Sequence, residues 1–176
     1  MAADGAEVLL TSQAYTSTVT FTRPENTTAY TASDVIGIAD SGTPANAGSA
    51  IHTLASAGPT AGHVMITDAT LTINLTAIPS GMTTFRLHLY SASPTAILDN
   101  AAMSVAAADR ATYLGFVDIP TIKDCGAILH AQATGVNKVV KLAAASTTLY
   151  GVLELIGAYT PASATEYAIV IRTLSV

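Results

Sequence analysis

The stretch HVMITDATLTINL, His63 to Leu75, decides the fold. Met65, Thr67, Ala69, Leu71, Ile73 and Leu75 fall on one side of an extended chain, and Asp68, Thr70, Thr72 and Asn74 on the other. A period of two is the signature of a half-buried β-strand, because successive side chains point to opposite faces of a sheet. After the turn AIPSGM, Ala77 to Met82, the pattern resumes in FRLHLY with Phe85, Leu87 and Leu89 on one face and Arg86, His88 and Tyr90 on the other. The second stretch is expected to be the hairpin partner of the first.

Working outward, STVTFTRP (Ser17 to Pro24) is rich in β-branched and aromatic residues up to the proline that stops it. Residues 1–15 before it lack periodicity and are read as an N-terminal arm, leaving 16–176 as a single β-sandwich domain. TTAYTASDVIGI, Thr27 to Ile38, is a further strand candidate. The Gly-, Pro- and Asn-rich segment Ala39 to Ala50 is a loop long enough to carry a contact surface, centred on Gly42 to Ala50. Downstream, Tyr113–Pro120, Cys125–Ala133, Lys138–Ala143, Thr147–Gly157 and Glu166–Val176 complete the strands, with Thr134 to Asn137 as a hairpin turn between two of them. The Ala-rich Asn100 to Arg110 forms either one helical turn or a loop. Many short strands with turn signals between them predict an all-β fold, an antiparallel β-sandwich or jelly roll with at most one short helix.

Composition narrows the function. Charged residues are 11% of the 176 residues against roughly 25% in an ordinary soluble domain, and apolar residues reach 50% with no run long enough to span a bilayer. The surface is therefore mostly Thr, Ser, Ala and Gly, with little electrostatic protection against self-association, as expected of an assembly component. Net charge is −5 and the seven basic residues are scattered, which argues against nucleic acid as a partner. The N-terminal MAADGAEVLLTSQ lacks the basic and apolar regions of a signal peptide, so synthesis and assembly in a cytosol are expected, with no membrane partner. The single cysteine, Cys125, sits among apolar neighbours and is read as a small buried residue. The glycosylation sequons at Asn26 and Asn74 have no meaning without secretion.

A search for chemistry returns little. No two of His52, His63, His88 and His130 lie within four residues of each other, so no metal spacing arises. His88, beside Arg86 and Tyr90 on the polar face of its strand, reads as a solvent-facing or interface histidine. Asp99, Asp109, Asp118 and Asp124 crowd one region where paired carboxylates would do acid and base work, yet each adjoins a turn signal, as do Asp34 and Asp40. Aspartates at turns normally accept from nearby backbone N–H groups. Glu154 and Arg172 each interrupt an apolar strand, which a cross-strand ion pair or an outward contact in an oligomer explains. The seven tyrosines are dispersed and read as half-buried anchors. G-x-S-x-G, P-loop, H-E-x-x-H and G-x-G-x-x-G motifs are all missing from the sequence, so neither an enzymatic activity nor a cofactor is expected.

Three features in Phe85 to Pro120, namely R-L-H-L-Y, S-P-T-A-I-L-D-N and A-D-R-A-T-Y-L-G, resemble a stretch of the small structural proteins encoded beside the major capsid gene of tailed bacteriophages. The segment TRPENTTAYTASDVIG, Thr22 to Gly37, is similar to the start of the same proteins. This resemblance implies a capsid decoration or cement protein: a β-sandwich or jelly roll on the outer surface of the virion, binding the major capsid protein. It also implies self-association as a homotrimer and no catalytic, cofactor-binding or metal-binding residues. Asp99 and Asn100 are then expected to fix a turn after the Phe85 to Tyr90 strand, their side chains accepting backbone N–H groups so that the Ala-rich segment that follows starts at a defined angle. A carbohydrate-binding or head-fibre module displayed on the same particle is the alternative.

Overall fold

The computed structural model describes residues 12–43 and 46–176. Ten strands run β1 (Ala14–Thr22), β2 (Val35–Ile36), β3 (Ile51–Leu54), β4 (His63–Ile73), β5 (Phe85–Tyr90), β6 (Tyr113–Ile119), β7 (Lys123–Asp124), β8 (Leu129–Lys141), β9 (Leu149–Leu155) and β10 (Glu166–Ser175). One sheet has the order β1-β10-β4-β8-β7 and the other β2-β9-β5-β6, with β3 also paired to β9. Every pairing is antiparallel. The pairs are nested: β5 with β6, β4 with β8, β2 and β3 with β9, β1 with β10. That nesting is one long hairpin, and rolling it up adds the contacts β10–β4 and β9–β5. The result is a jelly-roll β-sandwich, as the strand pattern predicts.

The chain therefore crosses from one sheet to the other between β4 and β5, which are not a hairpin. They lie in opposite sheets and supply one core, in which Ala69, Leu71 and Ile73 of β4 and Phe85, Leu87 and Leu89 of β5 are all fully buried. Burying each such aliphatic or aromatic side chain contributes about 1.5–3 kcal/mol. Two strands with the same period-two pattern look alike whether they pair edge to edge or pack face to face.

Further corrections follow from backbone geometry. The expected arm falls on residues 1–11, outside the described ones, and on Ser12 to Tyr15, of which Ala14 and Tyr15 are already in β1. Within Thr27 to Ile38 only Val35–Ile36 is a strand, whereas Ile51–Leu54 adds one unforeseen. Asn100 to Arg110, by contrast, holds one helical turn as expected, a 3-10 turn at Ala107–Asp109. Thr134 to Asn137 is no turn between strands but a bulge inside the continuous β8, with Gly135 and Asn137 at φ +65° and +49°. Opposite it Thr67 is an extra residue: Asp68 pairs with Thr134 and Arg172, and Ile66 with Lys138 and Thr173. The bulge inverts the alternation of β4, so Val64 and Ile66 are buried in place of the expected Met65 and Thr67.

His52 in β3 is completely buried, its ring stacked on Phe21 of β1 at 4.0 Å between centroids. Its Nε2–H donates to the Ile36 carbonyl (3.0 Å) while Nδ1 lies buried without a partner. Burial holds its pKa down to about 4 against an ordinary 6.5, with the Ile36 bond opposing. Between these values the unfolded chain binds a proton that the folded chain does not, so stability falls as pH falls through that window, by on the order of 3 kcal/mol. His88, whose pKa is also lowered, acts in the same direction. Urea unfolding from pH 4.5 to 6.5 is expected to show this loss, and His52→Gln, which keeps a donor toward Ile36, should reduce the pH slope by about one proton.

Candidate functional site

Asp99 and Asn100 lie in the connection between β5 and β6. Asn100 adopts a left-handed φ of +62°, a conformation that Asn tolerates better than most residues, and its N–H donates to Val35 O (3.0 Å). It does mark a turn. Asp99 does accept a backbone N–H, but a distant one: its buried carboxylate accepts from the Gly37 N–H (2.7 Å) and the Tyr30 hydroxyl (2.5 Å), both far away in sequence.

Arg23, fully buried just after β1, completes this group. Its guanidinium donates to the Tyr30 hydroxyl (3.2 Å), the Asn26 carbonyl and side chain, and the Ala162 carbonyl (3.0 Å), and stands 4.0 Å from the second oxygen of Asp99. Gly37 has no side chain because a Cβ there would lie 2.8 Å from Asp99 Cβ and 2.9 Å from its Cα. Tyr30 packs on Tyr159 (5.5 Å), whose hydroxyl pairs with that of Tyr167 at 2.6 Å. Burial pushes the phenols of Tyr30 and Tyr159 well above their usual range, and burial also raises the Asp99 carboxyl against the opposing bonds from Tyr30 and Gly37. Centred on the buried Arg23, Tyr30 and Asp99 and held by internal hydrogen bonds, this network is a brace between three loops and the end of β1.

A second polar group lies on the outer face of the other sheet. Arg86 on β5 is the register partner of Asp118 on β6 and Glu154 on β9, and its guanidinium reaches both, at 2.9 and 3.5 Å. It also covers the Phe116 ring at 4.2 Å. His88, two residues on, is buried and not solvent-facing: Nε2 faces Glu154 (2.8 Å) and Nδ1 faces the Tyr113 hydroxyl (2.9 Å). A neutral ring protonated on Nε2 satisfies both contacts. Burial lowers the pKa of His88 more than Glu154 raises it, and burial raises that of Tyr113. Carboxylate, imidazole and hydroxyl stand in line, yet both ring nitrogens are engaged and the phenol is shifted away from ionisation, the opposite of an activated nucleophile.

The other acids each have their own partners. Asp109 accepts from the Thr95 N–H (2.9 Å) and hydroxyl (3.2 Å), Asp34 from Thr31, Asp40 from the Gly42 and Thr43 N–H groups, and Asp124 from the Gly126 N–H. For Asp34, Asp40 and Asp124 these are the local turn bonds expected of them, whereas Asp109 reaches Thr95 across the β5–β6 connection. Arg172 pairs with its register neighbour Asp68 at 2.6 Å, so Glu154 and Arg172 both make cross-strand pairs, but in different sheets. Cys125 is exposed, because its apolar neighbours form the tip of the β7–β8 hairpin, where the Cys125 N–H donates to Ile128 O. Six of the seven tyrosines gather in two groups, Tyr30, Tyr159 and Tyr167 in the core and Tyr90, Tyr113 and Tyr150 under the segment that joins β5 to β6, while Tyr15 stands apart on β1. Among the described residues no group of three or more His, Cys, Asp or Glu is arranged to hold a metal ion.

What remains open is the outer face of the β1-β10-β4-β8 sheet. Its cross-strand rows read Thr20–Ala168–Thr72–His130, Thr18–Val170–Thr70–Gln132 and Thr16–Arg172–Asp68–Thr134. Beyond the Thr67 bulge the next row is Ala14–Leu174–Met65–Val139, aliphatic throughout, with Val139 57% exposed. Across four strands the central rows carry one mutually neutralising ion pair. Periodicity alone assigned Met65 to the core, and only the bulge brings it out.

Compared with known proteins, the chain matches no family model and no curated relative.

Removing one member of the buried brace should cost far more than its exposed counterpart in the outer-face pair. Arg23→Met leaves polar groups buried without their donor and is expected to cost about 3–5 kcal/mol, and Tyr30→Phe about 1–3 kcal/mol. Arg172→Met should cost under about 1 kcal/mol, all read from guanidinium unfolding at pH 7.

Proposed function

We propose that the chain is a virion structural protein that decorates a phage capsid and stabilises it by binding neighbouring shell subunits. The observation that carries this reading is the broad, nearly charge-free outer sheet face built from Thr16, Thr18, Thr20, Thr72 and Val170. Such a face has hydroxyl groups and methyl groups in regular rows, suited to many weak contacts whose combined strength comes from multiplicity on a repetitive lattice. The aliphatic row through Met65 and Val139 adds an apolar edge to it, of the kind that marks interaction sites.

Support also comes from the residues that carry the resemblance to capsid decoration proteins. Arg23, Tyr30 and Gly37 of the first stretch and Asp99 of the second meet in one buried network, although 62 residues separate Gly37 from Asp99. The shared pattern thus reads as the requirement of a scaffold and leaves the binding surface free to differ. Host-cell assembly and a place on the outer capsid surface follow from the same proposal.

Purified protein mixed with capsids lacking it and then sedimented should bind saturably at a fixed ratio to the shell protein. Val170→Glu and Val139→Asp, on exposed or half-exposed outer-face positions, are expected to weaken that binding at least tenfold without altering the unfolding midpoint by more than a few degrees. Failure of the folded wild-type protein to bind, joined to hits on a glycan array, would move the assignment to a carbohydrate-binding module.

A further inference from the structure

The two long borders of the first sheet are built differently. On the β8 side, the strand is broken by the left-handed Gly135 and Asn137 and carries Lys138 and Lys141, devices that discourage another strand from pairing. On the β1 side, AYTSTVTFT runs nine residues in unbroken register with β10 and contains no charge, proline or bulge.

The direction of the β1 backbone groups can be read from its ends. The Gln13 carbonyl accepts from Ser175 N–H and the Arg23 N–H donates to Thr165 O, so odd-numbered residues face β10. On the opposite side the Thr22 carbonyl accepts from the Ala39 N–H (2.9 Å), so even-numbered residues face outward. The N–H and C=O groups of Thr16, Thr18 and Thr20 therefore project from the edge, and among the described residues they have no strand partner. All three side chains are exposed.

We propose that this edge pairs with β1 of a second copy of the chain, antiparallel about a two-fold axis at Thr18, joining two five-stranded sheets into one. In that register Thr18 opposes Thr18 and Thr16 opposes Thr20, and each exchanges both backbone hydrogen bonds with its opposite. Threonines directly across from each other form favourable cross-strand pairs, and no like charges meet. The segment at Ala39 occupies the Thr22 carbonyl and stops the incoming strand at Thr20, which holds the register. A second copy is the occupant because the strand is complementary to itself, as an isologous contact requires, and has no charge with which to select another partner. The resemblance to decoration proteins implies a trimer; the edge geometry carries a two-fold instead. This inference does not depend on capsid binding, although the paired sheets would present two outer faces side by side.

Light scattering coupled to size exclusion on the full chain, from about 1 to 100 µM, tests it without capsids. The expected mass is twice 17.9 kDa. Thr18→Pro deletes one outward N–H and leaves the β10 ladder intact, as proline is tolerated when its missing N–H faces away from the sheet. Thr18→Lys sets two ammonium groups against each other at the axis. Both should shift the equilibrium at least tenfold toward monomer, with Thr18→Lys keeping the wild-type circular dichroism. A wild-type monomer throughout the range, a mass of three copies, or a dimer indifferent to both substitutions would overturn the proposal.

Discussion

The buried guanidinium of Arg23 is the constraint on which the loops of this sandwich depend. Placing a cation at zero exposure is expensive unless its donors are answered, and here the Tyr30 hydroxyl, the Asn26 carbonyl and amide oxygen, and the Ala162 carbonyl answer four of the five, with the Asp99 carboxylate 4.0 Å away balancing the charge. Tyr30 then passes the link to Asp99, and Asp99 to the backbone of Gly37. Segments before β2, after β5 and before β10 are thereby tied to the end of β1. These are the long crossovers of a rolled hairpin, which have few ladder hydrogen bonds of their own, so a polar brace supplies the positional definition that sheets supply elsewhere.

The same economy of charge governs the surface. Arg86 with Asp118 and Glu154, and Arg172 with Asp68, are pairs of residues directly opposite each other in the ladder. Such pairs neutralise charge locally and leave the rows beside them uncharged. With so few ionisable groups in the chain, the distribution matters more than the net value: the first sheet exposes Thr16, Thr18 and Thr20, and the second buries His88 between Glu154 and Tyr113 and Tyr90 beneath its covering loop. A protein that presents neutral hydroxyl-bearing faces and one unguarded strand edge is suited to contact with ordered neighbours.

A single extra residue has consequences on both faces of the first sheet. Because side chains alternate, Thr67 sends Val64 and Ile66 into the core and turns Met65 outward to join Leu174 and Val139. The apolar end of the open face is thus a by-product of the bulge that also interrupts β8 and protects that border from pairing.

Period-two patterning in His63–Leu75 and Phe85–Tyr90, the turn chemistry of Asp40, Asn100 and Asp124, and the scarcity of charge were legible in the sequence, because each depends on local backbone preference or on composition. They determined an all-β chain with a neutral surface. Pairing partners were not legible, since a half-buried strand looks the same beside a neighbour or across a core from it, and so β4 and β5 parted into different sheets. Nor were the burial of Arg23, His52 and His88, the exposure of Cys125, or the inversion at Thr67, which follow from what the rolled hairpin brings alongside each residue. Tertiary structure alone decided these, because the free energy of a polar side chain is set by partners that lie tens of residues away along the chain.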